Sequence, residues 1–233
     1  MNTEYLKEKG CLILKSILDE PEISYLINSL AQIKSAEAVS QKKKSVYGVR
    51  NLLNVSPAIK EFAASEKVLE IVRAFSGGKA KPVRAIYFDK TAAANWKVPW
   101  HQDLTISVKE KYETRGFSAW TVKAGICHVQ PPVSILENIL TLRFHLDDAD
   151  ESNGALKVLE ETHLNGRLSA DKIQVLKTEA NTFLCEASKG DVLVMRPLLV
   201  HSSSAGSNPK NRRVIHLEYS SQNLPEKLNW YGS

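Results

Sequence analysis

The chain has 233 residues, 43% of them hydrophobic and 24% charged, with a formal net charge of +5 and a pI near 9.0. This is the composition of an ordinary globular protein and not of a disordered or collagen-like one, and no apolar run reaches the ~18 residues of a membrane span. The dense basic run Lys42-Lys43-Lys44 reads as a solvated loop and not as nucleic-acid contact, and the mild positive balance suits attraction of an anionic small molecule.

Cys11, Cys127 and Cys185 are odd in number and far apart. They lack zinc or redox spacing and read as free thiols in a reducing compartment. The N-terminus carries acids and lacks a signal-peptide core, so a cytoplasmic protein is expected. No internal repeat is visible, and the length suits a single domain over residues 1–233.

The first 80 residues read as a mainly helical cover. Cys11 to Leu14 is a short strand. A helix follows, with Asp19 as N-cap, Pro21 in the first turn, and Ile23, Leu26, Ile27 and Leu30 at helical spacing. Residues 57–75 form a second amphipathic stretch, burying Ile59, Phe62, Val68, Leu69 and Val72, and Gly77-Gly78 ends it.

From residue 82 to 220 the period becomes two. Strands are expected from Val83 to Phe88 and over 98–106, 138–147, 155–159, 182–184, 191–196 and 212–220. Helices first and short strands later give an α+β, mainly β chain: a sandwich or barrel with helices on one face.

The stretch around Val98-Pro99-Trp100-His101-Gln102-Asp103 carries the first chemistry. His101 and Asp103 stand at i and i+2, on one face if the strand is extended. His201 answers them downstream, after the run Asp191 to Met195. Two histidines and one carboxylate, with positions left open, are the facial triad of non-haem Fe(II) oxygenases.

Residues 107–137, including Trp120, lack a clean pattern and read as a lid over that site. Over 138–147, Leu140, Leu142, Phe144 and Leu146 share one face, which suits the helices. Thr141, Arg143 and His145 share the other, pointing into the barrel. A buried Arg143 is costly unless it meets an anion, supplied either by a ligand or by Asp147 or Glu218. Asn153-Gly154 then signals a turn that makes a hairpin with 155–159. His163 reads as a loop anchor. The final strand is expected beside His201, bringing one Arg and a Ser hydroxyl into a shared pocket, where a guanidinium can hold a carboxylate.

Together these residues resemble the phytanoyl-CoA dioxygenase family of Fe(II)/2-oxoglutarate-dependent oxygenases. The motifs are Trp100-His101-Gln102-Asp103, Asp147-Asp148 to Asn153-Gly154-Ala155-Leu156, Gly190-Asp191, and His201-x-Ser203 with Arg212 eleven residues after His201. The resemblance implies a double-stranded β-helix (jelly-roll, cupin-like) core with helices buttressing one sheet. It implies Fe(II) on His101, Asp103 and His201, and 2-oxoglutarate held by Arg212 and Ser203, with Thr141 beside it. With O2 as second cosubstrate, the reaction releases succinate and CO2 and oxidises a small, polar or anionic metabolite. Gln102, Arg143 and Trp120 are the candidates to meet that metabolite.

Two departures stand out. Glu161-Thr162-His163 replaces a common Gly-Ser-His, and Arg143 stands where many relatives have Trp. The carboxylate of Asp103 favours hydroxylation, or a related desaturation or demethylation, over halogenation. The other classes to weigh are a cupin-like metal-dependent hydrolase or isomerase and a non-catalytic metabolite-binding jelly roll, neither of which needs Arg212. No nucleic acid or membrane partner is expected, and the oligomeric state is left open.

Overall fold

A computed structural model describes residues 2–33, 39–42, 45–208, 210–225 and 227–232, and only the backbone at 39–42 and 45–47. The basic run at 42–44 lies outside the described side chains. Among the described residues no helix is long and apolar enough to cross a membrane.

The helical cover comprises α1 (Thr3–Lys9), α2 (Glu20–Ala31), α3 (Leu52–Val55), α4 (Pro57–Ala63) and α5 (Glu66–Ser76). The start of α2 follows the sequence signals. Asp19 Oδ1 accepts from the Glu22 N–H and Glu22 returns a bond to the Asp19 N–H, a capping box with proline in the first turn. The expected helix over 57–75 is two helices: Ala64 caps α4, and Ser65 opens α5 in an extended conformation. Gly77, at φ +72°, ends α5.

The strands are β1 (Cys11–Leu14), β2 (Val39–Lys42), β3 (Ser45–Val49), β4 (Lys81–Lys90), β5 (Val98–His101), β6 (Ile106–Val108), β7 (Ser118–Lys123), β8 (Ile126–Gln130), β9 (Ile139–His145), β10 (Leu156–Leu159), β11 (Thr182–Cys185), β12 (Val192–Met195), β13 (His201–Ser203) and β14 (Arg212–Ser220). Two further helices, α6 (Val133–Glu137) and α7 (Ala170–Glu179), lie between them. One sheet runs β1-β12-β9-β14-β4-β3-β2 and a second runs β11-β10-β13-β5. All pairings in both are antiparallel. Two such sheets face to face form the expected jelly roll.

The larger sheet is covered by the helices. Leu140, Leu142, Phe144 and Leu146 join Leu26, Ile59, Val68 and Val72 in one core. The opposite face of β9 and β14 looks toward the second sheet. Cys11, Leu156, Val158, Leu193, Met195 and Leu199 fill the space between them at one end. The other end stays open as the cavity described below.

Three expectations are corrected. β9 and β10 do not form a hairpin: they lie in opposite sheets, and the turn at Asn153-Gly154 carries the chain across the barrel corner. Asn153 builds that corner with its side chain, accepting from the Asp150 N–H and donating to the Asp148 carbonyl. β14 does not pair with β13 but with β4 and β9. Residues 107–137 are not patternless: β6, β8 and β7 form a third sheet. It packs with Phe117, Ile135, Leu136 and Trp230 in a core of its own.

Candidate active site

β5 ends at His101, and Asp103 lies beyond it on a loop. Alternation along one strand is therefore not what brings them together. The Asp103 N–H donates to the Pro197 carbonyl at 2.9 Å, pinning the loop against the segment that leads to His201. From the other sheet neighbour, His201 pairs directly with His101 across β13 and β5. The imidazole centroids are 4.2 Å apart. Asp103 Oδ1 lies 3.8 Å from His101 Nε2, and its Oδ2 lies 3.7 Å from His201 Nε2. One donor atom from each of the three residues lies within 4.8 Å of the others, a grouping able to hold a metal ion.

Both imidazoles are oriented by the same device. His101 Nδ1 is 2.9 Å from the Pro99 carbonyl, and His201 Nδ1 is 2.9 Å from the Leu199 carbonyl. A carbonyl only accepts, so each Nδ1 carries the hydrogen and each Nε2 keeps its lone pair for a metal. Burial lowers the His201 pKa to about 4, which keeps it a neutral ligand at pH 7. Burial pushes the Asp103 carboxyl up, but His201, His216, His101 and Arg84 outweigh it and hold the group well below the ordinary carboxylate range. Neutral N, neutral N and anionic O is a donor set that fits Fe(II).

The triad opens into a cavity of about 520 Å³ whose wall includes Phe88, Val98, Leu156, Arg143, Ser203 and Arg212. Arg212 is 4% exposed, and its Nε and Nη1 have no hydrogen-bond partner among the described residues. Burial and the nearby Arg143 push its pKa down to about 10. Its neighbour Arg213 faces the other way and holds Asp147 through two bonds, at 2.8 and 2.6 Å.

Ser203 reaches the same cavity from the opposite sheet, not from an adjacent strand. Its hydroxyl donates to the Gly154 carbonyl at 2.8 Å and accepts from Lys90 Nζ at 2.7 Å. Sequence reasoning missed Lys90. It pairs with Arg212 in the β4–β14 register and is buried. Burial, then Arg212 and Arg143, lower its pKa to about 7. A lysine on the same register of β4 as Arg84, Ile86 and Phe88 was the available signal. Gly154 is required here: at φ +79°, a Cβ would sit 2.4 Å from the Ser204 carbonyl oxygen and 3.0 Å from Lys90 Nζ.

Arg143 lines the cavity, is 7% exposed, and among the described residues has no carboxylate in hydrogen-bond contact. Asp147 is taken by Arg213 and Glu218 by Arg84. The polar partner of Arg143 is the His216 ring, 3.0 Å away, and its Nε has none.

The other candidates fall differently. Gln102 borders the cavity, but its amide donates to the Gly166 and Leu198 carbonyls and accepts from the Leu168 N–H. Those bonds use it as a loop brace. Thr141 is buried, with its hydroxyl unpartnered, and stands opposite Glu218. It is not part of the cavity wall. Trp120 packs into the cluster of the third sheet and is likewise not on that wall, whereas Lys123 and Gln130 of the same segment are. His163 anchors a loop, with Nε2 3.0 Å from the Lys7 carbonyl. Asp191 of the Gly-Asp motif is structural: it accepts from Lys15 Nζ and from the Ser16 and Ser188 N–H groups. Cys11, Cys127 and Cys185 are free thiols.

Comparison with known proteins adds the lineage. The sequence model of the family described as "Phytanoyl-CoA dioxygenase (PhyH)" matches residues 6–214. The chain belongs to the phytanoyl-CoA dioxygenase family. It is accordingly a 2-oxoglutarate-dependent dioxygenase that works with iron, 2-oxoglutarate and O2. No curated relative matches it in sequence.

Solved structures share its fold at low identity. The EctD protein of S. alaskensis with bound Fe is 17% identical at a TM-score of 0.75, over 97% of this chain and 78% of that one. EctD with 2-oxoglutarate and 5-hydroxyectoine is 16% identical at a TM-score of 0.73, over 94% and 74%. The α-ketoglutarate-dependent carbocyclase SnoK, from nogalamycin biosynthesis, is 13% identical at a TM-score of 0.73, over 95% and 83%.

The buried imidazoles make a stability prediction. Burial is the leading cause of the lowered pKa at His128 (to about 4), His145 (to about 3) and His201 (to about 4), from an ordinary 6.5. Between pH 6.5 and 4 the unfolded chain therefore binds more protons than the folded one, and stability falls as pH falls. The metal-free protein should show a full thermal midpoint above pH 6.5 and lose roughly 15 °C or more by pH 4.5, since each of the three rings contributes about 2.5 kcal/mol over that interval. Calorimetry across this window checks it, and a flat midpoint would contradict neutral buried rings.

Proposed function

We propose that the protein hydroxylates a small anionic metabolite in the cytoplasm, with His101, Asp103 and His201 holding Fe(II). In this reading Arg212 binds the far carboxylate of 2-oxoglutarate and Arg143 meets an anionic group of the substrate. The observation that carries the substrate class is the Arg143 guanidinium: buried, on the cavity wall, and without a carboxylate in contact among the described residues. A buried cation of this kind is costly, with only the Asp103 carboxylate acting on it through space, and an anion on the ligand would offset that cost.

Bound iron with 2-oxoglutarate and O2 supplies the oxidising power, at the cost of decarboxylating the oxo acid to succinate. The chain's own residues do the rest. The Pro99 and Leu199 carbonyls aim the two imidazoles. Asp103 occupies the carboxylate position, so no halide site is left open there. Phe88, Ile86, Val98 and Leu156 give the cavity apolar wall, which limits water around the reacting carbon. Arg212 supports the oxo-acid assignment, since a cupin hydrolase or a binding jelly roll has no use for its unpartnered N–H groups. Lys90 stands behind Ser203, with Nζ bonded to its hydroxyl and to the Ser204 carbonyl, and so fixes that hydroxyl from outside the cavity wall.

A substrate screen tests this. Anaerobically reconstituted protein is mixed with O2 and panels of anionic and neutral metabolites, and succinate and product are measured. Stimulation by anionic members is expected. Arg143→Leu should lose about tenfold or more in substrate-stimulated turnover, the worth of one charge-assisted hydrogen bond, while still consuming 2-oxoglutarate slowly without substrate. Loss of both activities would assign Arg143 to the cosubstrate, and stimulation by neutral compounds alone would refute the anionic class.

A further inference from the structure

We infer that His216 and Glu218 are positioning residues that aim Arg143 at the oxyanion of the substrate, an inference that rests on the anionic-substrate reading above. The three side chains form a chain of contacts on the inner face of the larger sheet. Arg143 Nη1 lies 3.0 Å from His216 Nδ1, and His216 Nε2 lies 3.1 Å from Glu218 Oε1. All three residues are buried and line the cavity. A guanidinium has donors only, so His216 Nδ1 must accept. The ring hydrogen is then on Nε2 and donates to the Glu218 carboxylate. Glu218 thus selects the one tautomer that can receive Arg143, as a carboxylate behind a catalytic imidazole does.

The register makes this arrangement available. His216 is the cross-strand partner of Arg143, and Glu218 is the next inward residue on β14. Phe88 closes one side, with the Arg143 Cζ 5.7 Å from its ring centroid and its ring edge-on to His216 at 6.1 Å. Glu218 is itself held by Arg84, whose Nη1 bonds Glu218 Oε1 at 3.1 Å and the Thr105 carbonyl at 3.2 Å. Thr105 lies on the loop that carries Asp103. One carboxylate therefore ties the substrate-side guanidinium to the loop bearing a metal ligand.

This has a consequence for ligand class. The direct partner of Arg143 is an imidazole nitrogen, so the guanidinium is oriented without a direct ion pair, and the Asp103 carboxylate acts on it only through space. Pairing with a carboxylate would have oriented it and neutralised it. The unpartnered Nε adds a second donor on a planar fork, the geometry that suits a carboxylate, sulfate or phosphate group.

The test uses sodium sulfate as probe, titrated by calorimetry at constant ionic strength into the anaerobic Fe(II)–2-oxoglutarate protein. Wild type should bind it, and Arg143→Leu should not. His216→Leu should weaken it by about tenfold or more, the loss of one charge-assisted contact. His216→Asn, whose Oδ1 replaces Nδ1 as acceptor, should recover affinity to within about threefold of wild type. Affinity for 2-oxoglutarate, measured on the same samples, should be retained in both His216 variants. Sulfate binding by His216→Leu equal to wild type, with Arg143→Leu still defective, would overturn the positioning role and leave the anionic-substrate reading standing. Equal binding by Arg143→Leu, or none by wild type, would overturn both. Parallel loss of 2-oxoglutarate and sulfate in His216→Leu, unrescued in His216→Asn, would make His216 structural and also overturn the proposal.

Discussion

Arg212→Ala is expected to raise the 2-oxoglutarate KM by about 100-fold or more, while Arg213→Ala leaves it within about twofold. The first figure follows from two charge-assisted hydrogen bonds of ~1.5–3 kcal/mol each, at ~1.4 kcal/mol per tenfold. Arg212 offers two buried N–H atoms without partners. Arg213 has spent its guanidinium on Asp147 and is partly exposed. Its loss should appear as roughly 1 kcal/mol of stability and not in KM. Steady-state kinetics on both variants, with melting curves, separates the two. Equal KM effects would mean that the oxo acid does not sit against Arg212.

Asp103→Ala and His201→Ala should each bring turnover below about 1% of wild type and weaken iron binding by more than the 10–100-fold typical of losing an outer-shell partner. The expectation rests on the triad's geometry, where each donor approaches the other two within 4.8 Å. Metal binding also reads out without activity. Metal at 100 times its dissociation constant stabilises the folded state by ~2.7 kcal/mol. For a chain of this size that is roughly 5–10 °C in thermal midpoint. Wild type should show that rise when Fe(II) is added anaerobically, and the variants should not. A variant that keeps the full rise would show that its residue is not a ligand.

Neighbouring residues explain how much of this was legible before the fold. Asp19, Glu22 and Pro21 state the start of α2 locally, because capping involves groups three residues apart. The inward and outward faces of β9 were legible from alternation alone: Leu140, Leu142 and Phe144 join the helix-side core, while Arg143 faces the cavity. Family motifs pointed to His101, Asp103, His201 and Arg212. Arg212 and not Arg213 lines the cavity, although β14 lies in the other sheet from β13 and not beside it. The period-two rule fixes which of two adjacent residues faces inward, whichever strand lies beside it.

The amino-acid sequence by itself determined the helical cover, the alternating strands and the identity of the chemistry-bearing side chains, because each depends on spacing along the chain. Tertiary structure alone decided who meets whom. It sent β9 and β10 to opposite sheets, gave Asp147 to Arg213 and Glu218 to Arg84, and left Arg143 facing the His216 imidazole. It buried Lys90 beside Ser203 and folded residues 107–137 around Trp230. Which carboxylate a buried cation finds is set by sheet order and cross-strand register between segments far apart in sequence, and no local period encodes those.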